Sequence, residues 1–349
     1  MGIIFEKYRS GINLGGWISQ CRLEKEHIAE FIKKDDIKKI ASWGLDHIRL
    51  PFDYPILEDD SSPFVYKEEG FDVIKKLLDW CKDASLNLVL DMHKAPGYAF
   101  GNKTGDNILF TDKTVQKRFV SLWQEIAKRF KNEGGNLIFE LLNEIVDAHG
   151  DTWNKIARNA IDGIRGIDTD RYILIGGPNY NSAAGLDTLD IYDDGRILYN
   201  FHFYEPFLFT HQRARWTPLK DIDIDQRYPG KLEGADKLKE YFGSQKPEHG
   251  KSLDRDTIFD KAFLEDRLAP AVSFAQRSGK QLYCGEYGAI AHAALDSRVN
   301  YMRDVNELFE KYKIGRACWS YKQMDFTSIN KNDSPVSEKF IQAMSVKKI

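Results

Sequence analysis

Cysteine is scarce and unclustered. Cys21, Cys81, Cys284 and Cys318 make no C-x-x-C pair, which argues against a zinc ribbon or a dithiol redox motif and leaves buried, reduced thiols as the reading. An excess of either charge is also missing: 50 Lys+Arg face 53 Asp+Glu, for a net charge of −3, so general polyanion binding is excluded and no nucleic-acid partner is expected. No run approaches the roughly 18 consecutive apolar residues of a membrane-spanning helix, and no membrane partner is expected. The chain runs straight into Glu6, Lys7 and Arg9 without a signal-type apolar region; a removed signal would look the same, so the compartment stays open. Internal repeats, low-complexity tracts and Pro/Gly/Ser linkers are absent, and residues 1–349 read as a single domain. H-E-x-x-H is absent, the histidines are scattered, and Gly15-Gly16 and Gly176-Gly177 lack the spacing of a phosphate-cradling loop. Neither a cofactor nor a metal is expected.

What is present is a rhythm. Short apolar runs occur at Gly11–Leu14, His47–Leu50, Leu86–Asp91, Leu137–Leu142, Tyr172–Gly176, Ile197–Phe203, Gln281–Gly285 and Arg316–Ser320. Between them Ile28–Trp43, Phe71–Ala84, Lys113–Phe130, Trp153–Ile167 and Ser297–Lys313 carry apolar residues at three- and four-residue spacing, with charges on the other face. Strands alternating with helices in this number fit an α/β fold of the (β/α)₈ TIM-barrel type better than an open doubly wound sheet. The longest interval separates Phe203 from Gln281. Pro206–Arg267, rich in charge and aromatics and helical near Ala235–Phe242, reads as a small helical subdomain inserted between strand six and helix six, with the barrel's own helix resuming near Phe263–Arg277. On a barrel that loop opens at the C-terminal face, where active sites sit.

Polar residues just past the strand ends converge on that face. Asn143-Glu144 follow the fourth strand and Glu286 ends the seventh, giving two carboxylates at one mouth, the minimum equipment for glycoside hydrolysis. Arg49 stands in Ile-Arg-Leu-Pro, His93 in Asp-Met-His, His202 and Tyr204 in Asn-Phe-His-Phe-Tyr, and Trp319 in Cys-Trp-Ser-Tyr. Singly, each has a structural explanation: a satisfied buried histidine, an arginine paired with a barrel acid, a core tryptophan. Converging from six strands, they are hard to explain as packing.

The set Arg49, His93, Asn143-Glu144, His202, Tyr204, Glu286 and Trp319 resembles the eight-residue signature of glycoside hydrolase family 5, the cellulase family A of (β/α)₈ retaining hydrolases, with all eight positions filled. The resemblance implies Glu286 as nucleophile and Glu144 as general acid, then base, with retention of configuration and carboxyl groups about 5–5.5 Å apart. It implies a protonated Glu144 beside an ionised Glu286 held by Arg49 and Tyr204, Asn143 on the sugar 2-hydroxyl, His93 and His202 on the sugar and the carboxylates, and Trp319 stacked beneath the sugar. For Trp17, Tyr98, Phe209 and Trp216 a sugar platform and ordinary packing stay equally open. The implied partner is a β-glucan, cellulose-like or mixed-linkage, cut internally by a monomeric enzyme. A β-mannanase with the same catalytic set is the nearest alternative. An inactive carbohydrate-binding homologue is another, opposed by the intact Glu144 and Glu286. An aldolase-type barrel would need an interior lysine, for which only Lys94 lies near a strand end.

Overall fold

A computed structural model describes residues 2–103, 105–146, 150–242 and 255–345. Eight parallel strands, β1 Ser10–Asn13, β2 His47–Asp53, β3 Asn87–Ala95, β4 Leu137–Glu140, β5 Tyr172–Gly176, β6 Ile197–Phe203, β7 Leu282–Tyr287 and β8 Gly315–Cys318, pair each with the next. Pairing of β1 with β8 (Gly11 opposite Ala317) and of β2 with β3 closes the ring into a (β/α)₈ barrel. The fifth and sixth strands have the bounds expected from the sequence. β3 runs on to Ala95, where it turns into a two-residue antiparallel partner, Tyr98–Ala99, so His93 lies inside the strand.

The outer helices follow the expected amphipathic stripes. Glu68–Asp83 buries Phe71, Ile74, Leu77, Leu78 and Cys81 along one face. Lys113–Arg129 begins where the Asp112 carboxylate accepts the Thr114 and Val115 N–H groups at 2.7 and 3.1 Å. Lys261–Ser278 starts on Asp260, which accepts from Phe263 N–H, and stops at the left-handed Gly279 (φ 67°). Ile28–Trp43, read as one helix, is two, Lys25–Glu30 and Lys34–Ser42. The Asp36 carboxylate accepts the Lys33 N–H at 2.8 Å and starts the second helix there. After β5 the chain returns through short turns, Pro178–Asn181 and a 3₁₀ stretch at Ala183–Thr188, in place of a long helix.

Strand alternation sorts the barrel interior into layers. On β6 the inward residues are Leu198, Asn200 and His202; on β3 they are Val89, Asp91 and His93. The lowest layer is mostly apolar, with Val89, Ile138, Leu174, Leu198, Tyr283 and Ala317 packed against Ile4 and Tyr8 from the N-terminal helix Ile3–Lys7. The middle layer is polar: Asn13, Arg49, Asp91, Glu140 and Asn200, each fully buried. Barrel interiors are usually filled by branched apolar side chains. The departure here lies directly under the mouth.

Between β6 and β7 stand a turn of helix at Phe207–Thr210, a 3₁₀ turn at Pro218–Asp221, an antiparallel pair joining Gly230–Lys231 to Ile258–Phe259, and the helix Ala235–Phe242. Residues 243–254 of the expected insertion lie outside the described residues. Leu208, Leu219, Ile222, Ile224, Leu232 and Leu238 are buried within this segment. Phe209 packs on Tyr228 and Tyr301, and the Tyr228 hydroxyl donates to Asp304 at 3.0 Å, which ties the segment to the barrel's outer helix Leu295–Tyr312.

Candidate active site

Arg49 organises the floor of the cleft. Its guanidinium is fully buried and donates from Nε and Nη2 to the two Glu140 oxygens, both at 2.7 Å, from Nη1 to Asn13 Oδ1 at 2.9 Å and Glu286 Oε1 at 2.8 Å, and from Nη2 to Asn143 Oδ1 at 2.9 Å. Asp91 Oδ2 lies 3.0 Å from Nη2. One cation thus faces three buried carboxylates. Burial pushes the Asp91 carboxyl up to about 7, against the opposing pull of the Arg49 charge, which eases the imbalance.

Above this floor Glu144, His202 and Glu286 each present a ligating atom within 4.8 Å of the others. The His202 Nδ1 sits between the acids, 2.9 Å from Glu144 Oε1 and 3.7 Å from Glu286 Oε2. Tyr204 donates its hydroxyl to Glu286 Oε2 at 2.9 Å, so Arg49 and Tyr204 hold one oxygen each of that carboxylate. Burial lifts Glu144 to about 7 and lowers His202 to about 4, leaving a neutral imidazole beside a carboxyl that keeps its proton to near neutrality. Burial also raises the Tyr204 phenol well above its ordinary range, with the Glu286 charge adding to it, so it stays a donor. Glu144 has a left-handed backbone (φ 42°), a conformation that costs a non-glycine residue about 1–3 kcal/mol and gathers at functional sites. Tyr98 holds this turn in place: its hydroxyl donates to the Glu144 carbonyl and accepts the Val146 N–H at 3.1 Å.

His93 is buried, its Nδ1 2.7 Å from Asp91 Oδ2, and burial lowers its pKa. Because Arg49 takes Asn143 Oδ1, the Asn143 amide NH₂ is turned toward His93 Nε2, 3.5 Å away. Trp319 lies parallel to the His93 ring, at 5.7 Å and 7°. Gly15 is required beneath it, since a Cβ there would come 2.9 Å from the indole. All eight residues singled out from the sequence therefore gather at one mouth.

The four further aromatics divide. Trp17 is buried with its Nε1 donating to Ile28 O, Phe209 is core, and Tyr98 is the buried clamp just described, so none of the three is a surface platform. Trp216 is 57% exposed and packs on Phe326, which in turn contacts Tyr204. Sequence reasoning passed over Glu140, Asp91, Asn13 and Asn200. The run after Asn136 read as apolar up to Asn143, yet Glu140 lies inside it on the inward side of β4. A lone acid in a strand buried on both faces was the available signal.

Comparison with known proteins agrees with this geometry. The family model Cellulase (glycosyl hydrolase family 5) matches residues 11–325. The chain is 45% identical over 345 residues to Endoglucanase C of Acetivibrio thermocellus, covering 98% of this chain and 99% of that protein. It is 38% identical over 309 residues to Cellodextrinase A of Ruminococcus flavefaciens, covering 88% and 84% respectively. The fold is shared with the crystal structure of endoglucanase Cel5A from Thermotoga maritima, with a TM-score of 0.76, 22% identity and coverage of 99% of this chain and 100% of that one. A closed barrel, a paired carboxylate mouth and a family match across most of the chain agree: this protein belongs to glycosyl hydrolase family 5.

Proposed function

We propose that this chain is a retaining endo-β-1,4-glucanase that cuts internal bonds of cellulose-like or mixed-linkage β-glucans by double displacement. The observation that carries the reading is that one carboxyl oxygen of Glu144 and one of Glu286 lie within 4.8 Å of each other beside His202, too close for the roughly 6.5–9.5 Å gap that an interposed water needs. Glu286, gripped by Arg49 and Tyr204, attacks the anomeric carbon. Glu144, protonated to about pH 7, gives its proton to the leaving oxygen and then takes one from the water that releases the sugar. Asn143 bonds the 2-hydroxyl, a contact that strengthens in the oxocarbenium-like transition state. His202 serves both carboxyl groups, His93 bonds the sugar, and Trp319 lies beneath it. No cofactor or metal enters this chemistry.

The chain acts as one catalytic unit, and the described residues 206–242 and 255–260 belong to a small subdomain that walls one side of the cleft. Support comes from Trp216: it belongs to that segment, is exposed, and stands on Phe326 beside Tyr204. Every residue of the mechanism comes from a single chain, so a monomer suffices. Reducing ends released from barley β-glucan and soluble cellulose test the function. Cleavage of both is expected; hydrolysis of pure mannan with neither glucan cut would overturn the glucanase reading.

A further inference from the structure

Glu140 is a buried carboxylate that touches none of the reacting groups. It ends β4, four residues before Glu144 and one layer below it. Burial raises its pKa, yet every contact it makes is with a donor: Arg49 Nε on Oε2, and Arg49 Nη2 and Asn200 Nδ2 on Oε1, each at 2.7 Å. Two-point pairing of this kind fixes the plane and rotation of a guanidinium as well as its distance. That rotation decides where the remaining Arg49 donors go, Nη1 to Glu286 and Nη2 to Asn143.

A second arm runs through Asn200. With its NH₂ on Glu140, Asn200 turns Oδ1 to the Gly285 N–H at 2.8 Å. Asn13, whose Oδ1 accepts from Arg49, returns Nδ2 to the Gly285 carbonyl at 3.0 Å. Gly285 is the extra residue of a β-bulge: Phe201 faces Cys284 and His202 faces Glu286, with Gly285 unmatched between them. Along β7 Tyr283 points inward and Cys284 outward, so regular alternation would send Glu286 out with Cys284. The bulge turns it into the barrel. Both backbone groups of the bulged residue are held by side chains that Glu140 or its partner Arg49 fixes.

We propose that Glu140 is a positioning residue for the reaction: through Arg49 on one side and Asn200 on the other it holds the Gly285 bulge and thereby the aim of the Glu286 carboxylate. This rests on the reading of Glu286 as nucleophile. Glu140 touches no reacting atom. Its charge also opposes ionisation of Glu144, adding to the effect of burial on that group.

The test compares full-length wild type, Glu140→Gln and Asn200→Ala by three measurements: inactivation with a 2-deoxy-2-fluoro cellobioside bearing a good leaving group, kcat and KM on an aryl cellobioside, and the pH profile of cellotetraose cleavage. Misplacing a reacting group by about 1 Å costs on the order of 100-fold in rate. Inactivation and kcat are expected to slow about 100-fold in Glu140→Gln and about 10-fold in Asn200→Ala, with KM within about threefold of wild type. The alkaline limb should move to lower pH in Glu140→Gln only. Folded Glu140→Gln with the wild-type inactivation rate and an unmoved alkaline limb would overturn the proposal and leave the role of Glu286 intact. Should that variant not fold, wild-type kcat in Asn200→Ala overturns it alone. A fluorosugar label on a residue other than Glu286 in the wild type defeats the underlying assignment, and this proposal with it.

Discussion

At the scale of single residues, the chemistry turns on Glu144 holding a proton at a pH where a free carboxyl has lost it. Its pKa is raised from 4.5 to about 7 by burial, so the fraction able to protonate a leaving oxygen falls as pH rises past 7. Cellotetraose cleavage by the wild type is therefore expected to show an alkaline limb near pH 7. Glu144→Gln should lose about 10²–10⁴-fold on that substrate, while still forming the glycosyl-enzyme from an aryl glycoside whose leaving group needs no proton. Product analysis of cellotetraose digests checks the first part and stopped-flow release of the aryl group the second; equal loss on the two substrates would take the acid's role from Glu144. The eight mouth residues were legible because polar side chains at the ends of apolar runs are conspicuous. Glu140, Asn13 and Asn200 were not, because what makes a buried polar residue tolerable is its partner on another strand. Glu140 meets Arg49 from ninety-one positions away, and no local pattern announces that pairing.

At the scale of elements, periodicity carried most of the information. Strands buried on both faces read as apolar runs and helices as striped segments, and the observed β5 and β6 match those readings residue for residue. The reading of one helix at Ile28–Trp43 failed where a single hydrogen bond breaks the period at Lys33–Asp36, and the seventh strand, read as Gln281–Gly285, runs through the Gly285 bulge to Tyr287. A bulge leaves composition unchanged and alters only which way the next side chain points, so alternation alone misassigns it. A Cβ at Gly285 would lie 2.8 Å from Asn200 Oδ1 and 3.1 Å from His202 Nε2. Gly285→Ala is therefore expected to cost about 1–3 kcal/mol of stability by overpacking and to lower kcat more than it raises KM. Thermal unfolding beside steady-state kinetics reads both, and an unaltered kcat would show that the bulge does not aim Glu286.

At the scale of the whole molecule, the barrel separates stability from chemistry along its axis. The apolar layer is sealed below by Ile4 and Tyr8, and the polar layers rise above it to the mouth. Ile4→Ala should destabilise the fold by about 2–5 kcal/mol while leaving kcat and KM unchanged at temperatures where the variant is folded, as denaturant titration and kinetics would establish. The barrel and the site of the mouth were foreseen from the alternation of elements. The polar filling of the barrel was not, since it depends on which inward positions share a layer once the ring has closed. The central claim is that two carboxyl groups from different parts of that ring act on one glycosidic bond by double displacement, Glu286 on the anomeric carbon and Glu144 on the leaving oxygen. Proton NMR of a cello-oligosaccharide digest in the first moments, before the new reducing end mutarotates, tests it most directly: the β-anomer should appear first, and an initial α-anomer would contradict the account.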